Sequence, residues 1–90
     1  MIKSKKIIIT GGATRIGAAI AKKLSGFNTE LVIHYNRSTS KAKNLKKELE
    51  NLGSKIYLIE ADLTKEKGII KIIKFAKQKL KYFDCLVNNA

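Results

Sequence analysis

Ninety residues allow one small domain, and no run approaches the ~18 apolar residues that a membrane span requires. A net charge of +12 raises the question of a nucleic-acid partner. Yet seventeen of the nineteen basic residues are lysines, scattered in runs no longer than two. Together with thirteen isoleucines, that pattern fits A/T-rich codon usage better than a selected nucleic-acid surface, so no nucleic-acid partner is expected. A single cysteine, Cys85, excludes an internal disulfide and a multi-cysteine metal site. The first ten residues lack the apolar core and small-residue cleavage site of a secretory leader, so a reducing, cytoplasmic setting without a membrane partner is expected.

The elements alternate regularly. Residues 6–10 are a β-branched run before glycines and predict a buried strand. Ile16, Ile20, Leu24 and Phe27 recur at helical spacing, predicting about three turns that end near Ser25 and Gly26. Residues 31–35 predict a second buried strand. Ala42, Leu45, Leu49 and Leu52 form the stripe of a second helix, with Ser38, Thr39 or Ser40 to cap its start and Gly53 its end. Residues 55–60 predict a third strand. Ile69, Ile72, Ile73, Ala76, Leu80 and Phe83 predict a third amphipathic helix, capped by Thr64, and residues 84–88 a fourth strand. Strands without polar alternation, separated by amphipathic helices, imply a parallel sheet covered on both faces. The expected fold class is therefore α/β, a βαβαβαβ stretch of a doubly wound sheet. There, ligands sit at the carboxyl ends of the strands, at the switch point beside the first.

The turn after the first strand reads Thr10-Gly-Gly-Ala-Thr-Arg-Ile-Gly17. A glycine turn between strand and helix lets backbone approach a pyrophosphate and aims free helix amides at it. Gly11 suits the tight turn and Gly17 close packing of the helix on the sheet. At the end of the second strand, Tyr35-Asn36-Arg37-Ser38 carries no acid. A carboxylate there would bind a ribose 2′-hydroxyl, whereas a guanidinium can hold a 2′-phosphate in a bidentate fork. The reading is NADP(H) rather than NAD(H). His34 is expected to be packed, with its backbone near the cofactor, and Cys85 to be a small buried hydrophobe.

The turn resembles the T-G-x-x-x-G-x-G cofactor loop of short-chain dehydrogenases/reductases, with Arg15 in place of the middle glycine. A T-G-x-x-x-R-x-G loop resembles the pteridine reductase branch, as does His34-Tyr-Asn-Arg-Ser38. Asp62-Leu63 and Asn88-Asn89-Ala90 are similar to the family's adenine-side D-L and its N-N-A-G motif, so the resemblance runs the length of the chain in register. It implies a Rossmann fold in which residues 1–90 are a partial dinucleotide-binding domain. It also implies that Gly11 and Gly17 admit the pyrophosphate, and that Arg15 and Ile16 meet the phosphates and the nicotinamide side. Arg15 would in addition reach a pterin substrate. Asp62 would accept from the adenine amino group beside the Leu63 backbone, and Asn88 and Ala90 would lie by the ribose and nicotinamide. Thr14, His34, Tyr35, Asn36, Arg37, Ser38 and Asn89 complete the implied cofactor contacts.

The family's proton donor is a tyrosine with a lysine four residues later. Here Tyr35, Tyr57 and Tyr82 are followed at that spacing by Thr39, Ala61 and Leu86, so no catalytic residue is assigned. The expectation is the N-terminal part of an NADPH-dependent reductase of a small-molecule carbonyl or imine, truncated after the fourth strand and inactive alone. Its full-length form would be a homo-oligomer. A 3-oxoacyl-carrier-protein reductase-like member and a non-catalytic remnant are the alternatives.

Overall fold

The computed structural model describes residues 5–89. The elements are β1 (Lys5–Thr10), α1 (Arg15–Leu24), β2 (Thr29–Tyr35), α2 (Thr39–Asn51), β3 (Lys55–Glu60), α3 (Glu66–Leu80) and β4 (Cys85–Asn88). The four strands pair in parallel in the order β3-β2-β1-β4. The chain thus winds outward from β1 through β2 to β3, then returns to the far side of β1.

Alternation along the strands divides the core in two. Ile7, Ile9, Leu31, Ile33 and Ile56 point to one face and meet Ala21 of α1 and Leu45 and Leu49 of α2. Ile8, Val32 and Ile59 point to the other and meet Ile72, Ala76 and Leu80 of α3. Leu31, Val32 and Ile33 are fully buried, because β2 is flanked by strands on both sides and helices on both faces. Burying each such side chain contributes about 1.5–3 kcal/mol. This explains why β2 tolerates no polar alternation.

Departures from the sequence expectation concentrate at surfaces. The face of α1 that meets the sheet is Gly17 and Ala21, while Ile16 is 69% exposed and Phe27 86%. Ile20, also in the expected stripe, does pack against the core and is partly buried, whereas Ile16 stays exposed and Phe27 lies beyond the helix end. Leu52, at the C-cap of α2, and Ile69, Ile73 and Phe83 on and after α3 are likewise exposed. Thr64 does not cap α3. Lys65 occupies that position, and the Thr64 amide and hydroxyl turn back to Asp62. Ser38 is the N-cap residue of α2, but no side chain there makes a capping hydrogen bond. Gly53 follows α2 with φ +96°, as expected of a helix-ending glycine. Cys85 is exposed rather than buried, because β4 is an edge strand paired only with β1.

Gly68, in the first turn of α3, packs directly on the chain leaving β3: a Cβ there would overlap the Asp62 carbonyl. Alanine is favoured over glycine in a helix by ~1 kcal/mol. A backbone clash cannot be relieved by a rotamer change, however, and overpacking costs about 1–3 kcal/mol. Gly68→Ala is therefore expected to lower the urea midpoint. A midpoint that is unchanged or higher would show that α3 shifts freely along the sheet.

Candidate functional site

The turn after β1 and the carboxyl end of β2 form one crevice, and the residues that end β4 brace that turn from its other side. β1 ends at Thr10, and Gly11 then turns the chain with φ +63°, in the left-handed region that side chains disfavour. Gly17, one turn into α1, lies against the Gly11 carbonyl so closely that a Cβ would overlap it. Arg15, which opens α1, adopts φ +51°, a left-handed backbone that costs a residue with a side chain roughly 1–2 kcal/mol. Thr14 is extended and makes no side-chain cap. The first-turn amides of α1, those of Arg15, Ile16 and Gly17, have no partner within the helix, as at any helix start.

The Gly11 backbone is held from both sides. Its N–H donates to His34 Nδ1 at 3.0 Å, and its carbonyl accepts from Asn89 Nδ2 at 3.1 Å. His34 Nε2 lies 2.8 Å from the Ala61 carbonyl. An amide N–H can only donate and a carbonyl can only accept, so the ring carries its proton on Nε2. The next amide, Gly12 N–H, donates to the His34 carbonyl at 3.0 Å. Thr10 Oγ1 accepts from the Asn89 amide at 3.0 Å and lies 3.2 Å from Asn88 Oδ1 and 3.3 Å from the Val87 carbonyl. Its single proton serves one of those two acceptors at a time.

These contacts shape a crevice of about 290 Å³, lined by Gly11, Ala13 and Thr14 from the turn and by residues 34–38 from the end of β2. His34 is buried beneath it, Tyr35 and Ser38 are half-buried, and Asn36 and Arg37 are exposed at its rim. Arg15 and Ile16 are exposed at the start of α1. Asp62 and Leu63 do not line this crevice. Asp62 stands at the end of β3, and Leu63 faces an apolar hollow of about 310 Å³ between α3 and β4. Ala90 lies outside the described residues.

Asp62 Oδ1 accepts from the Thr64 hydroxyl at 2.6 Å and from its amide at 2.9 Å. These two bonds, hydroxyl first, hold the carboxyl below the usual range, and the charges of Lys65 and Arg37 add to the effect. Arg37 thus acts electrostatically on the adenine-side carboxylate expected from the sequence. Among the described residues, no group of three or more His, Cys, Asp or Glu could hold a metal ion, and no helix is long and apolar enough to cross a membrane.

A family model for short chain dehydrogenases matches residues 5–90. The chain belongs to that family. Short-chain dehydrogenase/reductase FrzI of Cladobotryum sp. is 36% identical over 86 residues, which cover 96% of this chain and 33% of that protein. FolM alternative dihydrofolate reductase 1 from Brucella canis, solved in complex with NADP, superposes with a TM-score of 0.83 at 31% identity, over 96% of this chain and 34% of its own. A Burkholderia cenocepacia structure with bound NADP gives 0.88 at 29% identity, again over 96% and 34%. The chain spans about a third of the length of the curated relatives it matches.

Of the residues expected at the site, Gly11, Thr14 and His34 to Ser38 line the crevice, whereas Arg15, Ile16, Gly17, Asp62, Leu63, Asn88 and Asn89 do not, and the sequence did not show how the turn is held. That His34 uses both ring nitrogens, and that Asn89 grips the Gly11 carbonyl, are contacts across 23 and 78 positions. Ala13, on the crevice wall, carried no signal beyond its place in the loop.

The carboxyl of Asp62 titrates lower in the folded chain than in the unfolded one, so its charge stabilises the fold at pH values above the ordinary carboxylate range. That contribution is lost as pH falls through the folded-state value. Asp62→Asn keeps the Oδ1 acceptor and removes the charge. It is expected to be less stable than the parent chain at pH 7, with the difference shrinking steadily in melts taken below about pH 4. A difference independent of pH would assign the effect to hydrogen-bond geometry alone.

Proposed function

We propose that residues 1–90 are part of a dinucleotide-binding domain, the NADP(H)-binding segment of a reductase of the pteridine type. Its substrate class would be dihydropteridines or dihydrofolate. The observation that carries the cofactor assignment is the rim at the end of β2. Arg37 and Ser38 stand there beside the glycine turn, and no carboxylate is present at the position where one would bind a ribose 2′-hydroxyl. The residues present fit the nucleotide. Gly11 and Gly17 leave backbone without side chains at the turn, the uncapped start of α1 offers amides to a pyrophosphate, and Arg37 offers a fork to a 2′-phosphate. Asp62, held ionised by Thr64, can accept from an adenine amino group. When bound, the nicotinamide supplies a hydride. The protein's part in this segment is to bind and orient, and no residue here is assigned the proton transfer.

Two features support the pteridine branch. The first is Arg15, exposed at the start of α1 directly after the crevice residue Thr14, in a loop that resembles that of pteridine reductases. The second is the likeness to the Brucella dihydrofolate reductase. Nicotinamide oxidation by the natural full-length form with dihydrobiopterin, dihydrofolate and a 3-oxoacyl thioester tests the substrate class. Turnover of the thioester alone would reject it.

The cofactor assignment is tested at Arg37. A hydrogen bond to a charged group contributes about 1.5–3 kcal/mol. At ~1.4 kcal/mol per decade, Arg37→Ala should weaken NADPH roughly tenfold to a hundredfold and leave NADH nearly unchanged. Seventeen lysines also attract a phosphate, but their field is screened over ~10 Å at 0.1 M salt and ~3 Å at 1 M. Titrations at both concentrations separate the direct contact from the diffuse field. Equal losses for the two nucleotides at high salt would remove Arg37 as the 2′-phosphate ligand.

A further inference from the structure

We infer that His34 is a positioning residue whose imidazole fixes the spacing between the glycine turn and the Asp62 loop, the two segments that a bound dinucleotide must span. The inference rests on the nucleotide-binding reading above and adds to it a residue that touches no ligand through its ring. His34 is 3% exposed, so its ring is not offered to solvent or to a ligand. Both ring nitrogens are occupied. Nδ1 takes the Gly11 N–H at 3.0 Å, and Nε2–H reaches the Ala61 carbonyl at 2.8 Å. Gly11 begins the pyrophosphate turn, and Ala61 immediately precedes Asp62. One planar ring therefore ties the end of β1 to the end of β3 across β2.

The geometry gives this link a directional consequence. The Gly11 and Gly12 amides are both consumed by His34, through its ring and its carbonyl respectively. The turn is thereby bent so that the unpaired amides begin further on, at the start of α1. Without the Nδ1 acceptor, the half-buried Gly11 N–H would lose its partner, and the turn would rotate to find another. The Ala61 amide is already bonded to the Tyr35 carbonyl at 3.1 Å, so the end of β3 stays attached to β2 without the ring. The Gly11 bond is accordingly the one on which the shape of the nucleotide turn depends.

Two polar replacements separate the ring's two bonds. Asparagine places a carbonyl oxygen near the Nδ1 position and can still accept from Gly11. Glutamine reaches the Nε2 position and can still donate to Ala61, but it offers nothing to Gly11. Leucine removes both. NADPH affinity of the full chain would be measured by calorimetry for His34→Asn, His34→Gln and His34→Leu, with thermal midpoints recorded for each. We expect His34→Asn to bind within about threefold of the parent chain. His34→Gln and His34→Leu should lose about tenfold or more, as for a donor left unsatisfied. The thermal midpoints of the Asn and Gln variants should fall by similar amounts, because each keeps one bond. If His34→Leu does not fold, the comparison of Asn with Gln decides. Equal affinity of the Asn and Gln variants, or parental affinity in His34→Leu, overturns the positioning role. A parent chain that binds no NADPH rejects the nucleotide-binding reading itself, an outcome the variants cannot imitate. In the folded parent chain, nitrogen NMR should find the His34 ring protonated at Nε2 and not at Nδ1. The opposite tautomer also overturns the role.

Discussion

The structure depends on a single residue, Gly11. Its left-handed φ turns the chain out of β1, its carbonyl forms the surface on which Gly17 of α1 rests, and its two polar groups are taken by His34 from β2 and Asn89 after β4. A side chain at position 11 would be strained by the backbone, and one at position 17 would strike the Gly11 oxygen. Both constraints come from distance rather than from residue preference. They are also why α1 meets the sheet through Gly17 and Ala21 while Ile16 stays outside. The closeness that opens backbone to a phosphate puts Gly17 and Ala21 at the buried contact and leaves Ile20 only partly buried against the core.

Much of this was legible in the sequence because it is written in local pattern. The β-branched runs of β1 and β2, the apolar spacing of Leu45 and Leu49 or of Ile72, Ala76 and Leu80, and the glycines after β1 each report their own surroundings within a few residues. The parallel sheet and its order follow from these with general rules of connection. What could not be read is contact at long range. Periodicity cannot tell that Ile69 and Ile73 stand outside while Ile72 is inside, since all three fit one broad helical stripe. Cys85 was misread for the same reason. Apolar neighbours suggest burial, but burial of a strand depends on its place in the sheet, and β4 lies at the edge. Thr64 had the composition of a cap, yet a carboxylate two residues earlier competed successfully for its hydroxyl and amide.

Charge shows a similar division between local and global. The excess of lysine surrounds the molecule with a positive field that would favour any anion, and salt would weaken it for all of them alike. Discrimination between nucleotides differing by one phosphate needs a group at a fixed place, with geometry that a field does not have. Arg37 meets that requirement by its position on the rim beside the turn. Its charge is also the smallest of the influences that lower the Asp62 carboxyl, after the two Thr64 hydrogen bonds and Lys65.

The polar groups that build the site are arranged by charge as well as by distance. Those touching the Gly11 backbone are an imidazole with one proton and a carboxamide, both neutral. The cations are exposed, Arg37 at the rim of the crevice and Arg15 at the start of α1. A carboxylate in place of His34 could accept the same Gly11 amide, but it would set a negative charge beneath a site proposed for phosphates, and at 3% exposure water would screen it little. A lysine there could satisfy the Ala61 carbonyl but would leave the Gly11 amide without an acceptor. A neutral ring with one donor and one acceptor in fixed directions meets both demands at once and adds no charge. The turn can therefore be held rigidly in the absence of nucleotide, leaving the electrostatic attraction of phosphate to residues that water and salt can reach.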